Sequence, residues 1–322
     1  MKRPFLQSAR AIRGVTLIEL MVSLTIGLVV VLASISTYLG SSRASRVADA
    51  QGRMNEDAHA ALTILSQQLR MAGNNPKQPN RTVEAPRNPI YDGSTYIVRG
   101  CNSKFSNITT AANTSTLTCA VGASTTPDSI TISYEADRYN TVPTSTGVPT
   151  DCLGQSLPVQ AANVTTVDGT GAAIVSAVNY YVADNRFYID TSGVIISPSL
   201  YCKGNGNTVP QPLVENVEDM HFTYGAGPAT GTLTAVVGYL DSASLLTQPN
   251  LAALSDDPAR WARVVTVRIC VLMRSEKPVV DNAASAHYTR CDGTDEVNPP
   301  DLRLRRAYST TVVLRNRLTD FN

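Results

Sequence analysis

The sequence predicts an α+β fold: one long N-terminal helix, membrane-spanning in its first half, packed against a β-rich, antiparallel-sheet globular head. Three observations predict it. No charged residue occurs between residues 20 and 42. A helical apolar period then continues on a single face as far as Gly73-Asn74-Asn75-Pro76. Beyond Pro76 the apolar residues alternate or run in short blocks rich in Val, Ile, Thr and Tyr between turn-forming residues, as strands do.

Residues 1–14 read as a leader peptide, with Lys2, Arg3, Arg10 and Arg13 and no acid. Residues 15–42 read as a transmembrane helix, long enough to cross a hydrocarbon core at about 1.5 Å per residue. The positive leader holds the N-terminal side in the cytoplasm. A secretory signal would place a small-residue cleavage site after the apolar run, and none follows Leu32. Neither a signal nor a plain anchor explains Glu19, whose carboxylate costs roughly 2.5–3.5 kcal/mol in an inserted helix unless something pairs with it. A cut after Gly14 supplies a partner. The new amine at Val15 lies four residues before Glu19 on the same helix face and, with a pKa of about 8, is largely protonated at neutral pH. In a stack of parallel helices, Glu19 of one subunit meets the Val15 amine of its neighbour. The apolar helix then serves as membrane anchor before assembly and as filament core afterwards.

Residues 43–73 read as an amphipathic continuation of the same helix. Val47, Met54, Ala58, Leu62, Leu65 and Leu69 recur mostly at three- and four-residue spacing, and Arg53 and Asp57 are placed for an i,i+4 pair. The Gly-Asn-Asn-Pro stop predicts an end near Ala72. The head spans 74–322. Strands are expected at 95–99, 129–135, 179–182, 186–189, 194–196, 235–239, 264–273 and 307–314. Turns are expected at 183–185 and 191–193, and a short capped helix over 255–261. Segments 74–92, 140–172 and 276–301 read as surface loops.

The chain carries 27 basic and 26 acidic residues. That balance argues against bulk nucleic-acid binding. Charged residues make up 16%, below the usual quarter, and Asn, Ser, Thr and Gly fill the gap. Cys101, Cys119, Cys152, Cys202, Cys270 and Cys291 form no CxxC pair, which leaves zinc and thioredoxin-like chemistry without support. An even number scattered through loop and strand sequence fits disulfides formed outside the cytoplasm. Six cysteines allow fifteen connectivities, and sequence does not choose among them. The expectation taken here is sequential pairing, Cys101 with Cys119, Cys152 with Cys202 and Cys270 with Cys291.

His59, His221 and His287 read as structural histidines. The sequence holds no nucleophile elbow, no phosphate loop and no histidine pair at metal spacing. The acidic run 292–296 offers oxygen donors for calcium but lacks EF-hand spacing. Arg303, Arg305, Arg306, Arg315 and Arg317 flank the last strand, where a solvated, aggregation-resistant edge is favoured over a DNA contact. Tyr180, Tyr181 and Tyr188 are expected to pack the sheet rather than bind sugar.

Gly14-Val15-Thr16-Leu17-Ile18-Glu19-Leu20, followed by Met21-Val22, resembles the prepilin peptidase site of type IV pilins and type II secretion pseudopilins. That resemblance implies cleavage between Gly14 and Val15, N-methylation of Val15, and Glu19 as the assembly carboxylate. Valine stands where the family most often has phenylalanine. Three later stretches resemble the PilW-like minor pilins: residues 213–225 (Leu-Val-Glu-Asn-Val-Glu-Asp-Met-His-Phe-Thr-Tyr-Gly), 264–275 (Val-Val-Thr-Val-Arg-Ile-Cys-Val-Leu-Met-Arg-Ser) and 304–317 (Leu-Arg-Arg-Ala-Tyr-Ser-Thr-Thr-Val-Val-Leu-Arg-Asn-Arg).

The resemblance implies a non-enzymatic, low-abundance subunit of the tip or initiation complex that primes pilus assembly. Such pili serve twitching motility, adhesion and DNA uptake. The implied partners are other minor pilins, the major pilin, the prepilin peptidase, the inner-membrane assembly platform, a tip adhesin, and the inner membrane through residues 15–42. No cofactor, metal or catalytic residue is expected, and DNA is not an expected partner of the head. Before assembly the head lies in the periplasm; afterwards the subunit lies in a pilus at the cell surface. Two alternatives stand beside this reading. One is a J-type minor pseudopilin of a type II secretion system, which the three later stretches disfavour. The other is a membrane-anchored binding protein or adhesin.

Overall fold

The computed structural model describes residues 14–78, 81, 87–91, 95–120, 126–191, 197–206, 209–231, 233, 235–254 and 256–318. The leader up to Arg13, the strand expected at 194–196, most of the turn expected at 191–193, and Ser255 lie outside the described residues. Helix α1 (Leu17–Met71) runs through two compact units, residues 1–49 and 50–322. In the first unit, residues 14–41 are exposed on every side, apolar ones included. Among the described residues α1 is the one helix long and apolar enough to cross a membrane.

The second unit contains the rest of α1 and the head. Its elements, in chain order, are β1 (Val98–Cys101), β2 (Ser129–Ala136), β3 (Val159–Val167), β4 (Ala173–Asp190), β5 (Ser199–Lys203), β6 (Gln211–Glu215), β7 (Val217–Ala226) and β8 (Gly238–Leu240). Helices α2 (Ser242–Thr247) and α3 (Asp257–Trp261) follow, then β9 (Val264–Arg274), β10 (Tyr288–Thr289), β11 (Asp295–Glu296), β12 (Arg305–Val313) and α4 (Arg315–Leu318). One sheet has the order β1-β2-β4-β5-β6, with β3 also on β4; the other is β12-β9-β7-β8; β10 and β11 form a small ribbon. All pairings are antiparallel, so the α+β class holds.

Met54, Ala58, Ala61, Leu65 and Leu69 form the buried stripe of α1. They share one core with Ile130, Ile132 and Phe187 of the first sheet and Met220, Phe222 and Ile269 of the second. A polar link crosses that core. The Gln68 carbonyl oxygen accepts from the Asn185 amide at 2.7 Å and from the Tyr134 hydroxyl at 3.3 Å. The helix stops where the sequence places its stop. Gly73 takes φ +74°, a backbone region natural to glycine, and its N–H donates to the Ser133 carbonyl. Asn316 donates to the last carbonyls of α1, those of Arg70, Met71 and Ala72. Arg53 forms its ion pair with Glu276 at 3.7 Å rather than with Asp57.

Four local expectations are corrected. Residues 183–185 are not a turn but the middle of the single strand β4. Ala-Asp-Asn sits in a strand because each polar side chain is satisfied there: Asp184 by Arg186 and Thr131, Asn185 by Gln68 and by the backbone N–H of Cys152. Residues 140–172 are not all loop, because β3 pairs with β4 through Val167↔Ala173 to Val159↔Tyr181. The strand expected at 235–239 is only β8, and that expected at 95–99 begins at Val98. The capped helix over 255–261 is present as α3, with Asp256 as its cap.

The chain passes from one sheet to the other at a single residue. Asn216, between β6 and β7, has φ +60° and is the one described non-glycine residue with a positive φ. Its carbonyl accepts from Arg274 N–H at 3.0 Å. Asn tolerates this conformation far better than a β-branched residue. Asn216→Val is therefore expected to destabilise the protein by about 1–3 kcal/mol. Asn216→Gly should stay within about 0.5 kcal/mol of the parent. Denaturant unfolding of the two variants checks this; equal losses would show that the backbone angle is not the cause.

Candidate functional site

The first turn of α1 holds the one acid of the apolar segment. Thr16 stands at the N-cap: its carbonyl accepts from Leu20 N–H at 3.2 Å, and its Oγ1 accepts from Glu19 N–H at 3.3 Å. Glu19 reaches back, and its Oε2 accepts from both the Thr16 N–H and the Thr16 hydroxyl at 2.9 Å. This is a reciprocal capping box, Thr-x-x-Glu, which satisfies donors that a helix start leaves open. The pattern was present in the sequence and gave Glu19 a local role that charge reasoning alone missed. Both bonds fall on Oε2. Oε1 has no partner among the described residues, and Glu19 has no cationic one. Val15, just outside the box, is 72% exposed.

Further along, the hydroxyls turn inward. Ser23, Ser34, Ser36 and Thr37 donate to carbonyls four residues back, and Thr25 to the carbonyl of Val22. Each is satisfied within its own helix, as a lipid-facing or helix-packed surface requires. The result is a bare apolar cylinder with one carboxylate oxygen available at its start.

The cysteines form Cys101–Cys119, Cys152–Cys202 and Cys270–Cys291. The first closes a satellite core of Phe105, Ile108, Leu117, Tyr188 and Tyr201. Tyr188 stacks on Tyr201 with centroids 5.8 Å apart. The Tyr180 hydroxyl donates to the Pro89 carbonyl. In the acidic run, Asp292 accepts from Thr294, Asp295 from Thr289, and Glu296 pairs with Arg290. No cluster of ligands suited to a metal ion occurs among the described residues.

The arginines around β12 are a correction. Arg305 is buried, held by Glu218 at 2.9 Å and Asp301 at 2.6 Å. Arg303 bonds Asp301 and the carbonyls of Ser275 and Glu276. Arg317 bonds the Ala262 carbonyl. Only Arg306 and Arg315 are exposed. The folded chain spends the other three on tying β12 and the chain's end to their neighbours, because Glu218 and Asp301 are brought alongside. A cavity of about 360 Å³ lies beside Tyr180, Gln160 and Asn205. Its carboxylate, Asp184, is already engaged by Arg186 and Thr131.

His59 and His287 are exposed. His221 on β7 sits between two carboxylates, Asp219 at 3.1 Å and Asp128 at 3.5 Å, with Asp292 adding to the local negative field. Asp128 precedes β2, is 4% exposed, and also accepts from Phe222 N–H. The trio clasps one sheet to the other. Burial alone would lower the pKa of His221, but the hydrogen bonds of Asp128 and Asp219 outweigh it and raise the value to about 10. Burial pushes the Asp128 carboxyl upward, with His221 opposing. Because the His221 value rises from an ordinary 6.5, its contribution is full below pH 6.5 and is lost as pH climbs through about 10. His221→Gln should cost on the order of 2 kcal/mol near neutrality and flatten the alkaline fall in thermal stability. An unchanged slope between those pH values would remove the clasp from the account.

Residues 179–316 match the family described as type IV pilus-assembly protein W. Residues 9–35 match the prokaryotic N-terminal methylation motif, which includes the capping box. No curated protein and no solved structure matches the chain.

Proposed function

We propose that this chain, a PilW-like type IV pilus minor pilin, is a structural subunit of the tip or initiation complex that primes pilus assembly. The observation that carries the reading is the Glu19 carboxylate: one oxygen capping its own helix, the other without a partner among the described residues, at the head of an exposed apolar helix within a methylation motif.

Cleavage between Gly14 and Val15 leaves the capping box intact, because Thr16 and Glu19 both lie beyond the cut. The same cut creates the amine at Val15, the residue we take to be N-methylated. Glu19 Oε1 of one subunit then accepts from the Val15 ammonium of a neighbour. A charge-assisted hydrogen bond in a low-dielectric helix bundle is stronger than a neutral one. The basic leader places the N-terminus in the cytoplasm and the head in the periplasm before assembly; disulfides suit that side. Residues 15–42 form the membrane-spanning and filament-core helix, 43–73 its amphipathic continuation and 74–322 the head. The partners are the prepilin peptidase, the inner-membrane platform, other minor pilins and the major pilin, with a tip adhesin at the far end. The subunit binds and positions rather than catalyses. The match to the pilus-assembly family favours a pilus over a secretion pseudopilus.

Two substitutions separate the roles of Glu19. Glu19→Ala loses both cap and charge; Glu19→Gln keeps a capping-box side chain but removes the charge. Both variants are expected to be inserted and cleaved. Both should be depleted from sheared pili, by roughly tenfold if the lost charged hydrogen bond contributes about 1.5 kcal/mol. Quantitative mass spectrometry of pili and membranes reads this out and reports the new N-terminus and its methylation. Normal incorporation of Glu19→Gln would reduce Glu19 to a helix cap and overturn the pairing.

A further inference from the structure

Sheet edges invite pairing, and proteins guard them with charge, proline, bulges or shortness. Most edges of this head are guarded. Strand β1 is short and carries Arg99; β8 is shorter still. Strand β6 has Pro212, and its pairing with β5 shifts register. Strand β12 carries the exposed Arg306. The outer side of β3 meets Arg81 at Thr166.

Among the described residues the longest open run lies on β4, the partner of β3, whose own outer edge is also open from Val159 to Thr165. Tyr181 of β4 pairs with Ala136 on one side and Val159 on the other, so β2 and β3 flank opposite edges of β4. Strand β2 ends at Ala136, yet β4 extends back to Ala173. From Ala173 to Tyr180 the edge vacated by β2 has no paired strand among the described residues. That edge has no proline and no charge, and the β3–β4 register runs without a bulge. Its side chains face solvent, with Val175 at 70% exposure and Ile174 and Ala177 also exposed. From Gln155 to Ala183 the one charged residue is Asp168, and its carboxylate is taken up by Thr170 and Ala172 of its own turn. A two-stranded ribbon of this kind is marginal in water by itself.

We propose that the β3–β4 ribbon is a docking arm, whose open β4 edge from Ala173 to Tyr180 receives an extended, uncharged strand from the head of a different pilin. Backbone hydrogen bonds supply the attraction, as in strand addition generally, and alternate side chains supply the fit. The open length, about 25 Å at roughly 3.3 Å per residue, sets the length of the incoming strand. The lack of charge on the arm sets its character, because a charged strand would find no opposite charge across from it. A second copy of this chain is disfavoured as the occupant. Identical edges pair about a two-fold axis and close on themselves, whereas filament neighbours joined through Glu19 and Val15 are related head to tail. The proposal rests on the pilus-subunit reading for the class of its partner. Most of the edge, Ala173 to Val178, precedes the family match, which begins at residue 179.

The test uses the full chain in piliated cells. Val175→Lys and Ala177→Lys place a cation at exposed positions of the arm; Val313→Lys, on β12, is the control. Formation of the Cys152–Cys202 disulfide, read by non-reducing mobility, checks that each variant folds. A photo-crosslinking residue is placed at position 175 in a separate strain, and adducts are identified by mass spectrometry from membranes and from pili. The arm lysines are expected to leave folding and processing unchanged and to deplete the chain from pili several-fold, with the control unaffected. The crosslinker should capture a different pilin, and Ala177→Lys should abolish the adduct. Normal incorporation of both arm variants would overturn the proposal, as would an adduct only with a second copy, an adduct with no pilin, or none at all. Because the crosslink is also read in membranes, it decides the arm even if the Glu19 pairing fails.

Discussion

An acid at the start of an apolar helix must be satisfied without giving up its charge. Glu19 meets that constraint with an asymmetric arrangement: Oε2 is held by Thr16, and Oε1 is left over. A carboxylate has more acceptor sites than a capping box uses. The same group therefore ends its own helix cleanly and keeps an acceptor at a fixed position. The rest of the segment is consistent with this economy. From Leu20 to Thr37 its hydroxyls are turned into their own backbone, so along that stretch a neighbouring helix meets hydrocarbon beyond one oriented oxygen.

The second half of the helix faces the opposite problem. Its buried stripe is dominated by small and medium side chains, Ala58 and Ala61 among them, which let the sheets approach closely. Uniqueness of that packing comes from polar contacts that have one solution. Gln68 accepts from both Asn185 and Tyr134, and Asn185 also accepts from the Cys152 N–H. Burial raises the Tyr134 pKa to about 12, so the hydroxyl stays a donor across the ordinary pH range. A slip of β4 by one residue would turn Asn185 to the opposite face and set the charged Asp184 or Arg186 toward the core in its place. The Cys152–Cys202 disulfide fixes the same neighbourhood from the loop side. Residues that look like turn formers in isolation thus become the register pins of the longest strand.

That is also where sequence reading stops. The long helix was legible because its apolar pattern and its Gly-Asn-Asn-Pro end agree. Strands β2, β9 and β12 were legible because β-branched residues alternate without interruption. Ala183-Asp184-Asn185 misled because local propensity favours a turn, and only Gln68 and Thr131, distant in sequence, together with Arg186 further along the same strand, satisfy these side chains in a strand. Strand β3 was missed because Gln, Asn, Ala and Thr carry little strand signal, and it is defined by its partner rather than by its own pattern. The arginines near β12 read as a charged edge because Glu218 is far away in sequence. The capping box was a different kind of miss: Thr16 and Glu19 stood at the right spacing, and the search for a distant cation passed over the near hydroxyl.

The two parts of the chain divide recognition between them. A charge pair at the helix start depends on a short motif, so any subunit that carries the motif offers the same oxygen and the same amine. Such a contact supplies attraction without telling neighbours apart. Discrimination has to come from surface that differs between subunits, and specificity of that kind rests as much on excluding wrong partners as on holding the right one. An uncharged open edge excludes strongly. A strand with a lysine or a glutamate opposite the ribbon gains no counter-ion there, whereas a neutral strand of the right length gives up no charge pairing elsewhere to gain the ladder of hydrogen bonds. In the proposed pilus, a head with an open, uncharged β4 edge would be selective in a way that the helix is not: the common contact would gather subunits, and the particular one would order them.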